Sequence, residues 1–368
     1  MASKVNILTP NYVTKPGDTL KETIESLSMT QSDVAQRMEV SPKHISEIIN
    51  GKASISPELA SKLEMVLGVP ASFWNKLEAN YQQFIERKKQ EELFQQQSNF
   101  SDHFNYNDMV KKGFVEKTKD KGERTRNLLK FFRFPNFDAM QNYFASNDEL
   151  EGAYRIALPD VVDEYALKAW IQKGKLEADA IDTELFDKNK LKQLIPDLRA
   201  LTLIDEPQNF IPKLQRLMAT VGVAVVFVPE LKGCHISGFT KWLSPFPKVI
   251  VQLSVRYKTN DSLWFTFFHE IAHLILHNKK SFITFPSKNY DTGLEEKQAN
   301  DWASNTLIAK DEWDSFIKES NFTEQGIEEF AKSVGIHAGI VVGRLQKLGL
   351  VLYNSRLNHL KVRYTWNV

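Results

Sequence analysis

Residues 262–277 read SLWFTFFHEIAHLILH, and this stretch narrows the possible folds more than any other. It is too apolar for a surface helix: Trp264, Phe265, Phe267, Phe268, Ile271, Leu274, Ile275 and Leu276 leave hardly a polar face, so it belongs in a core. Yet it carries His269, Glu270 and His273 in the pattern HExxH. On a helix the two histidines share a face, about 6 Å apart along the axis. Two imidazoles so placed can converge on one Zn2+ at about 2.0–2.1 Å. Glu270 can reach the open coordination position, where a carboxylate takes a proton from water and passes it to a leaving amine. The plain alternative is two hydrogen-bonded core histidines with a paired glutamate, because an unpaired buried charge is costly.

A zinc site of this kind needs a third protein ligand. His277 continues the i+4 series but lies about 12 Å from His269 along a straight helix, too far for the same ion. It is expected to close the helix C-terminus. The extended pattern with a helix-breaking glycine and a third histidine is excluded by Leu276 and Lys279. A better candidate lies 23 residues after His273, in a second predicted helix with Ala299, Trp302, Ala303 and Leu307 apolar. Glu296 there would ligate zinc, and Asn300, one turn later, would hydrogen-bond a ligand histidine from outside. Glu295 is the alternative, since adjacent acids cannot be separated by spacing.

Together with Trp242-Leu243, the run IVQLSVRYK from Ile250 to Lys258, Phe267-Phe268 and Ala299-Asn300, these residues resemble the ImmA/IrrE family of zinc metallopeptidases. They resemble in particular the branch fused to a HigA-like helix-turn-helix. The resemblance covers nearly the whole chain and is tightest from about 221 to 310. It implies a gluzincin-like site with Glu296 as third ligand. It also implies a protein substrate, since the family's best-known members cleave helix-turn-helix repressors.

The N-terminal part carries a separate pattern. Residues 1–16 read as an extended arm, followed by a helix from about Asp18 to Ser28. Thr30 to Asp33 is a capping-box start with Asp in place of Glu or Gln. From Gln31 the spacing is that of a helix-turn-helix: Val34 and Met38 in the core, Ala35 at the helix crossing, Ile45 and Ile48 anchoring the second helix. Glu39 stands where the tight turn prefers glycine, a substitution costing about 1 kcal/mol. The pattern resembles the XRE/Cro type found in HigA-like antitoxins. Gln31, Ser41, Lys43, His44, Ser46 and Glu47 would then face the DNA groove. Residues 1–80 hold eight Lys/Arg against nine Asp/Glu, whereas DNA-binding domains are usually basic. A helix-turn-helix retained for dimerisation or protein docking is therefore the rival reading.

The expected fold class is α+β, mainly α, in four parts. Residues 1–80 form an all-α Cro-like domain and 81–205 a helical connector expected to pack on the peptidase and restrain it. Residues 206–310 form a small zincin-like peptidase with a short sheet (Val223–Val228, Ser237–Leu243, Val249–Leu253), whose strands are candidate substrate contacts. Residues 311–368 form a helix-turn-helix-like support unit, in which Arg344 occupies an anchor position that should be apolar, and a tail (360–366) alternating like a strand. Arg256 and Tyr257 are candidates for positioning substrate, with a structural role as the alternative; Cys234-His235 reads as loop.

At 368 residues and a net charge of +1, no strong field draws the chain to polyanions. One cysteine, no apolar leader and no apolar run long enough to span a bilayer suit a soluble, cytoplasmic protein without a membrane partner. The combined expectation is a regulator or antitoxin-like homodimer binding double-stranded operator DNA. Its zinc-dependent endopeptidase would act on a repressor or toxin-type partner. The alternative is a non-enzymatic DNA-binding antitoxin that binds a toxin and keeps zinc for structure.

Overall fold

Short polar residues set the helix starts of the N-terminal part. In the computed structural model, which describes residues 12–146, 163–243, 248–277, 282–284 and 293–366, helices run Pro16–Ser26 (α1), Gln31–Arg37 (α2), Pro42–Ile49 (α3), Pro57–Leu67 (α4) and Ala71–Gln96 (α5). Thr30 Oγ1 accepts from Asp33 N–H at 3.1 Å and Asp33 Oδ2 accepts from Thr30 N–H at 3.1 Å, so the shorter acid does close the capping box. Ser41 and Ser56 cap α3 and α4 in the same way. α1 begins two residues earlier than the sequence suggests, because Pro16 suits the first helical position, where no N–H is needed. Leu20, Val34, Ala35, Met38, Ile45, Ile48, Leu63 and Trp74 form the core. Glu39 adopts φ 56°, the left-handed turn expected of it, while Val40 N–H bonds Ala35 C=O at 3.0 Å. The first eleven residues of the expected arm lie outside the described residues.

The chain divides into two compact units, Met1–Gln97 and Ser98–Val368. The second contains Tyr106–Lys111 (α6), Lys121–Phe132 (α7), Phe137–Ser146 (α8), Glu164–Asp179 (α9), Lys188–Gln193 (α10), Ile195–Ala200 (α11) and Pro207–Ala219 (α12). Then come strands Val223–Phe227 (β1), Gly238–Leu243 (β2) and Lys248–Leu253 (β3), helix Asn260–Leu276 (α13), and strand Phe282–Thr284 (β4). Helices Leu294–Leu307 (α14), Lys310–Glu319 (α15), Glu324–Val334 (α16) and Ala338–Lys347 (α17) follow. The fold is thus mainly helical with one small sheet, of order β1-β3-β2-β4, in which β1 and β3 are parallel and the other pairs antiparallel. β4 went unread in the sequence because three residues are too few to display a period of two.

Strand alternation sorts the sheet into two faces. Val223, Val225, Val249, Val251 and Leu253 join Trp264, Phe267, Phe268 and Ile271 of α13 in one apolar core. Gln252 points the other way, donating from Nε2 to Trp170 C=O of α9 at 2.8 Å, while Trp170 Nε1 donates to Val228 C=O at 2.9 Å. Gly174 of α9 lies so close to Gln252 that a Cβ would overlap its side-chain amide. The helix preceding Pro207 that sequence treats as connector is thus a layer of this sheet.

α14 is held by its carbonyl end. Arg344 Nη1 donates to Ser304 C=O at 2.9 Å and Ile308 C=O at 3.0 Å, with its guanidinium 4.3 Å from the Trp313 ring centre. Arg199 Nη2 donates to Leu307 C=O at 3.0 Å and to Val334 C=O at 2.9 Å. Two cations at a helix C-terminus satisfy orphan carbonyls and favour the dipole. Arg344 is therefore an anchor through hydrogen bonds where an apolar residue was expected. Burial lowers its pKa to about 10, with Asp314 opposing, so it stays charged at neutral pH.

The tail is not the strand its alternation suggests. Residues Arg356–Leu360 form a 3-10 turn, and only Arg363 pairs as a bridge, with Thr259. Asn260 N–H bonds Val362 C=O and Tyr364 N–H bonds Lys258 C=O, so the tail straps the start of α13 with no strand long enough to pair. Among the described residues no helix is long and apolar enough to cross a membrane. Replacing Arg344 by Met should lower the unfolding free energy of the second unit by about 2 kcal/mol, since hydrogen bonds to charged groups contribute about 1.5–3. Urea unfolding followed by tryptophan fluorescence measures this; an unchanged midpoint would contradict the anchoring role.

Candidate metal centre

Two faces of α13 and α14 meet where the apolar helix becomes polar. His269 and His273 are 1% exposed and Glu270 is fully buried, all on α13. His269 Nε2 lies 3.0 Å from His273 Nε2, and Glu296 of α14 brings Oε2 to 3.1 Å from the first and Oε1 to 3.3 Å from the second. Among the described residues these three form the one cluster with metal-ligand spacing, all donor atoms within 4.8 Å; Glu295 is not part of it.

The donor set fits a tetrahedral Zn2+. Ligands at about 2.0–2.1 Å in that geometry stand about 3.3 Å from each other, close to the separations here. The electrostatics agree. Burial opposes charge on both partners, but the Glu296 hydrogen bond, the charges of Glu270 and Glu296 and the Asn300 bond together raise the His269 pKa. Against the same opposing effect, hydrogen bonds from His269 and His273 lower Glu296 to about 2. The pocket thus favours a positive charge among its donors.

The far nitrogens are also engaged. His269 Nδ1 lies 3.0 Å from Asn300 Oδ1, the partner expected one helical turn after Glu296. His273 Nδ1 lies 2.9 Å from Nδ1 of His277, and His277 Nε2 lies 3.1 Å from Gln298 Oε1. His277 does close α13, with its N–H bonded to His273 C=O, but its ring also reaches the ligand one turn back. Sequence reading measured His277 only against His269 and overlooked that contact, although the i+4 spacing contains it.

Glu270 is held from the sheet. The alternation that sends Phe239 towards Trp170 sends Gly238 and Thr240 towards α13. Thr240 Oγ1 donates to Glu270 Oε2 at 2.5 Å. At Gly238 a Cβ would collide with Glu270 Oε1 and with Thr266 Cγ2, so only glycine lets β2 approach this carboxylate. Neither residue was singled out in the sequence; reading β2 with a period of two would have paired them.

Other expected residues lie in different surroundings. β3 is flanked by β1 and β2, so its backbone is already paired on both edges. Arg256 donates to Glu230 Oε2 at 2.6 Å and touches His235 Nδ1 at 2.9 Å, in a cleft of about 270 Å³ shared with Lys112, Lys232 and Lys258. Tyr257 is half exposed. Cys234 is buried, and burial pushes its thiol far above the usual range. In the first unit, Gln31, Ser41 and Lys43 are exposed and His44, Ser46 and Glu47 half-buried along the outer side of α2 and α3. There Lys43 and His44 approach Glu47 at 3.8 and 4.0 Å, and Asn50 Nδ2 donates to Ser46 C=O and Oγ.

Residues 20–74 match the family described as helix-turn-helix, and residues 221–346 match the IrrE N-terminal-like domain, an M78 peptidase family. Among curated proteins, the chain is 34% identical over 64 residues to an uncharacterized HTH-type transcriptional regulator, YddM, of Escherichia coli (strain K12); the match covers 17% of this chain and 68% of that protein. It is 38% identical over 59 residues to virulence-associated protein A of Dichelobacter nodosus, covering 16% of this chain and 58% of that protein. Among solved structures, an addiction module antidote protein of a HigA family from Coxiella burnetii aligns at 27% identity and TM-score 0.20, over 21% of this chain and 84% of that one. A putative antidote protein of a plasmid maintenance system from Nostoc punctiforme aligns at 25% and 0.22, over 23% and 92%.

The geometry predicts about one tightly held Zn2+ per chain, because three protein donors converge. Elemental analysis should find it lost in His269→Ala, His273→Ala and Glu296→Ala but kept in Glu295→Gln. Full retention in Glu296→Ala would remove that residue from the site.

Proposed function

Because the chain belongs to the helix-turn-helix family and carries an IrrE N-terminal-like domain, we propose that it is a DNA-binding regulator whose second unit is a zinc-dependent endopeptidase. The observation carrying the proposal is the convergence of His269, His273 and Glu296 beside a buried glutamate that a threonine holds in place. Zn2+ bound there would supply a Lewis acid that polarises a peptide carbonyl and makes water acidic. His269, His273 and Glu296 would hold it, and the contacts of Asn300 and His277 would keep the two rings aimed. Glu270 would accept the proton of the attacking water as the carbon–oxygen bond forms, then deliver it to the amine nitrogen as the carbon–nitrogen bond breaks. Thr240, donating to Oε2, would hold this carboxylate in place beside the three donors.

The substrate would be a protein, of the repressor or toxin-type partner class. The first unit would read double-stranded operator DNA as a homodimer through Gln31, Ser41, Lys43, His44, Ser46 and Glu47, with half-sites about 34–36 Å apart. Such a protein would act in the cytoplasm. The functional parts would be those read from the sequence: reader (1–80), connector (81–205), peptidase (206–310) and support unit (311–368). The alternative is a non-enzymatic antitoxin holding zinc for its fold; three converging donors, rather than the four of a closed structural site, and a glutamate beside them count against it.

Two measurements test the proposal. Incubating wild-type and Glu270→Gln protein with co-encoded repressors or toxins, then mapping new termini by mass spectrometry, should show cleavage by the wild type alone, with zinc content equal in both. Equal products, or none with a partner that binds, would favour the non-enzymatic reading. Lys43→Ala with Ser46→Ala should weaken binding to the protein's own promoter by about tenfold or more, as loss of contacts worth about 1–3 kcal/mol implies. Zinc content should not change. No protected promoter sequence at low salt would leave the first unit as a docking module.

A further inference from the structure

His277 and Gln298 sit outside the donor triad, yet their bonds bear on whether His273 can donate at all. A neutral imidazole has one N–H and one lone pair. If His273 is to offer its Nε2 lone pair to a metal, its proton must be on Nδ1. That proton points at Nδ1 of His277, 2.9 Å away, which must then be the lone-pair nitrogen of its own ring. The proton of His277 is thereby placed on Nε2, and 3.1 Å from it is Gln298 Oε1, an acceptor. Each bond dictates the tautomer of the next ring, and the series ends correctly at an amide oxygen. In the reverse order a proton would sit on His273 Nε2 and close it to metal. His269 needs one partner for the same purpose, Asn300 Oδ1.

The backbone explains how His277 reaches back. It leaves α13 in an extended conformation, φ −108° and ψ 168°, while its N–H still bonds His273 C=O at 3.2 Å. The ring therefore folds against the preceding turn, 5.0 Å from the His273 ring centre. Gln298 lies on the same helix as Glu296 and Asn300, so α14 supplies one ligand and the terminal acceptor for each ligand histidine.

From this arrangement we infer that His277 is a positioning residue, which with Gln298 holds His273 in the tautomer that binds metal. The inference rests on the metal site of the preceding section, deepens it, and does not depend on peptide cleavage.

The test is zinc affinity, measured by competition with a chromophoric chelator on the full-length chain. His277→Phe keeps a ring of similar bulk and removes the acceptor. His277→Asn loses the bulk but places Oδ1 close to the position of Nδ1 and restores it. Loss of an outer hydrogen bond to a ligand weakens metal binding by about 10–100-fold. His277→Phe and His277→Ala should fall by that factor, while His277→Asn stays within about threefold of wild type. Packing alone would give the opposite order, with Phe the better substitute, and that order overturns the inference. Affinity equal to wild type in the Phe variant also overturns it. Circular dichroism of each metal-free variant separates misfolding from loss of affinity. A wild-type chain that binds zinc with this ranking but cleaves nothing would defeat the peptidase reading and leave the positioning role intact. A wild type without zinc affinity defeats both.

Discussion

Three ionisable groups buried in the mainly apolar helix α13 are the constraint to which much of the second unit answers. An imidazole or carboxylate withdrawn from water without a partner costs several kcal/mol. α13 buries two of the first and one of the second at the centre of its core. Two neighbouring elements and the end of the helix itself contribute partners or make room for one. β2 provides the Thr240 hydroxyl and the bare backbone of Gly238. α14 provides Glu296 and Asn300, one turn apart, and Gln298 between them. The end of α13 itself provides His277.

That dependence extends to residues with no donor atom near the triad. Glu296 is only as well placed as α14, and α14 is fixed by two arginines binding its last carbonyls, one preceding the sheet in sequence and one in the final helix α17. The helices on either side of the peptidase-like segment therefore act as parts of its frame. The sheet repeats the arrangement on its other face, where α9 closes on Gln252 at a glycine. Removing everything before Pro207 would expose that face.

The helix-turn-helix unit shows a different balance. Its fold follows from caps, apolar spacing and one strained turn at Glu39, all local features. Its outward face is polar but not basic, and Lys43 and His44 are close to Glu47 on their own helix. Any attraction to a phosphate backbone from these residues competes with that neighbour, so geometry and dimer spacing would have to supply the affinity that net charge does not.

The sequence by itself determined what depends on periods of two to four residues. The capping box at Thr30, the helices of the first unit, three of the four described strands, and the pairing of His269 with His273 and of Glu296 with Asn300 are all of that kind. Each is a relation within one element, where backbone geometry converts spacing directly into position. Tertiary structure alone decided the relations between elements. It chose Glu296 over Glu295 as the member of the cluster, because helix rotation about its axis depends on packing and not on spacing. It made Arg344 an anchor by setting carbonyl oxygens against it, and turned an alternating tail into a strap because no partner strand ran beside it. It also brought Thr240 and Gly238 under Glu270 from 30 and more residues away, a proximity that strand register creates and local pattern does not encode.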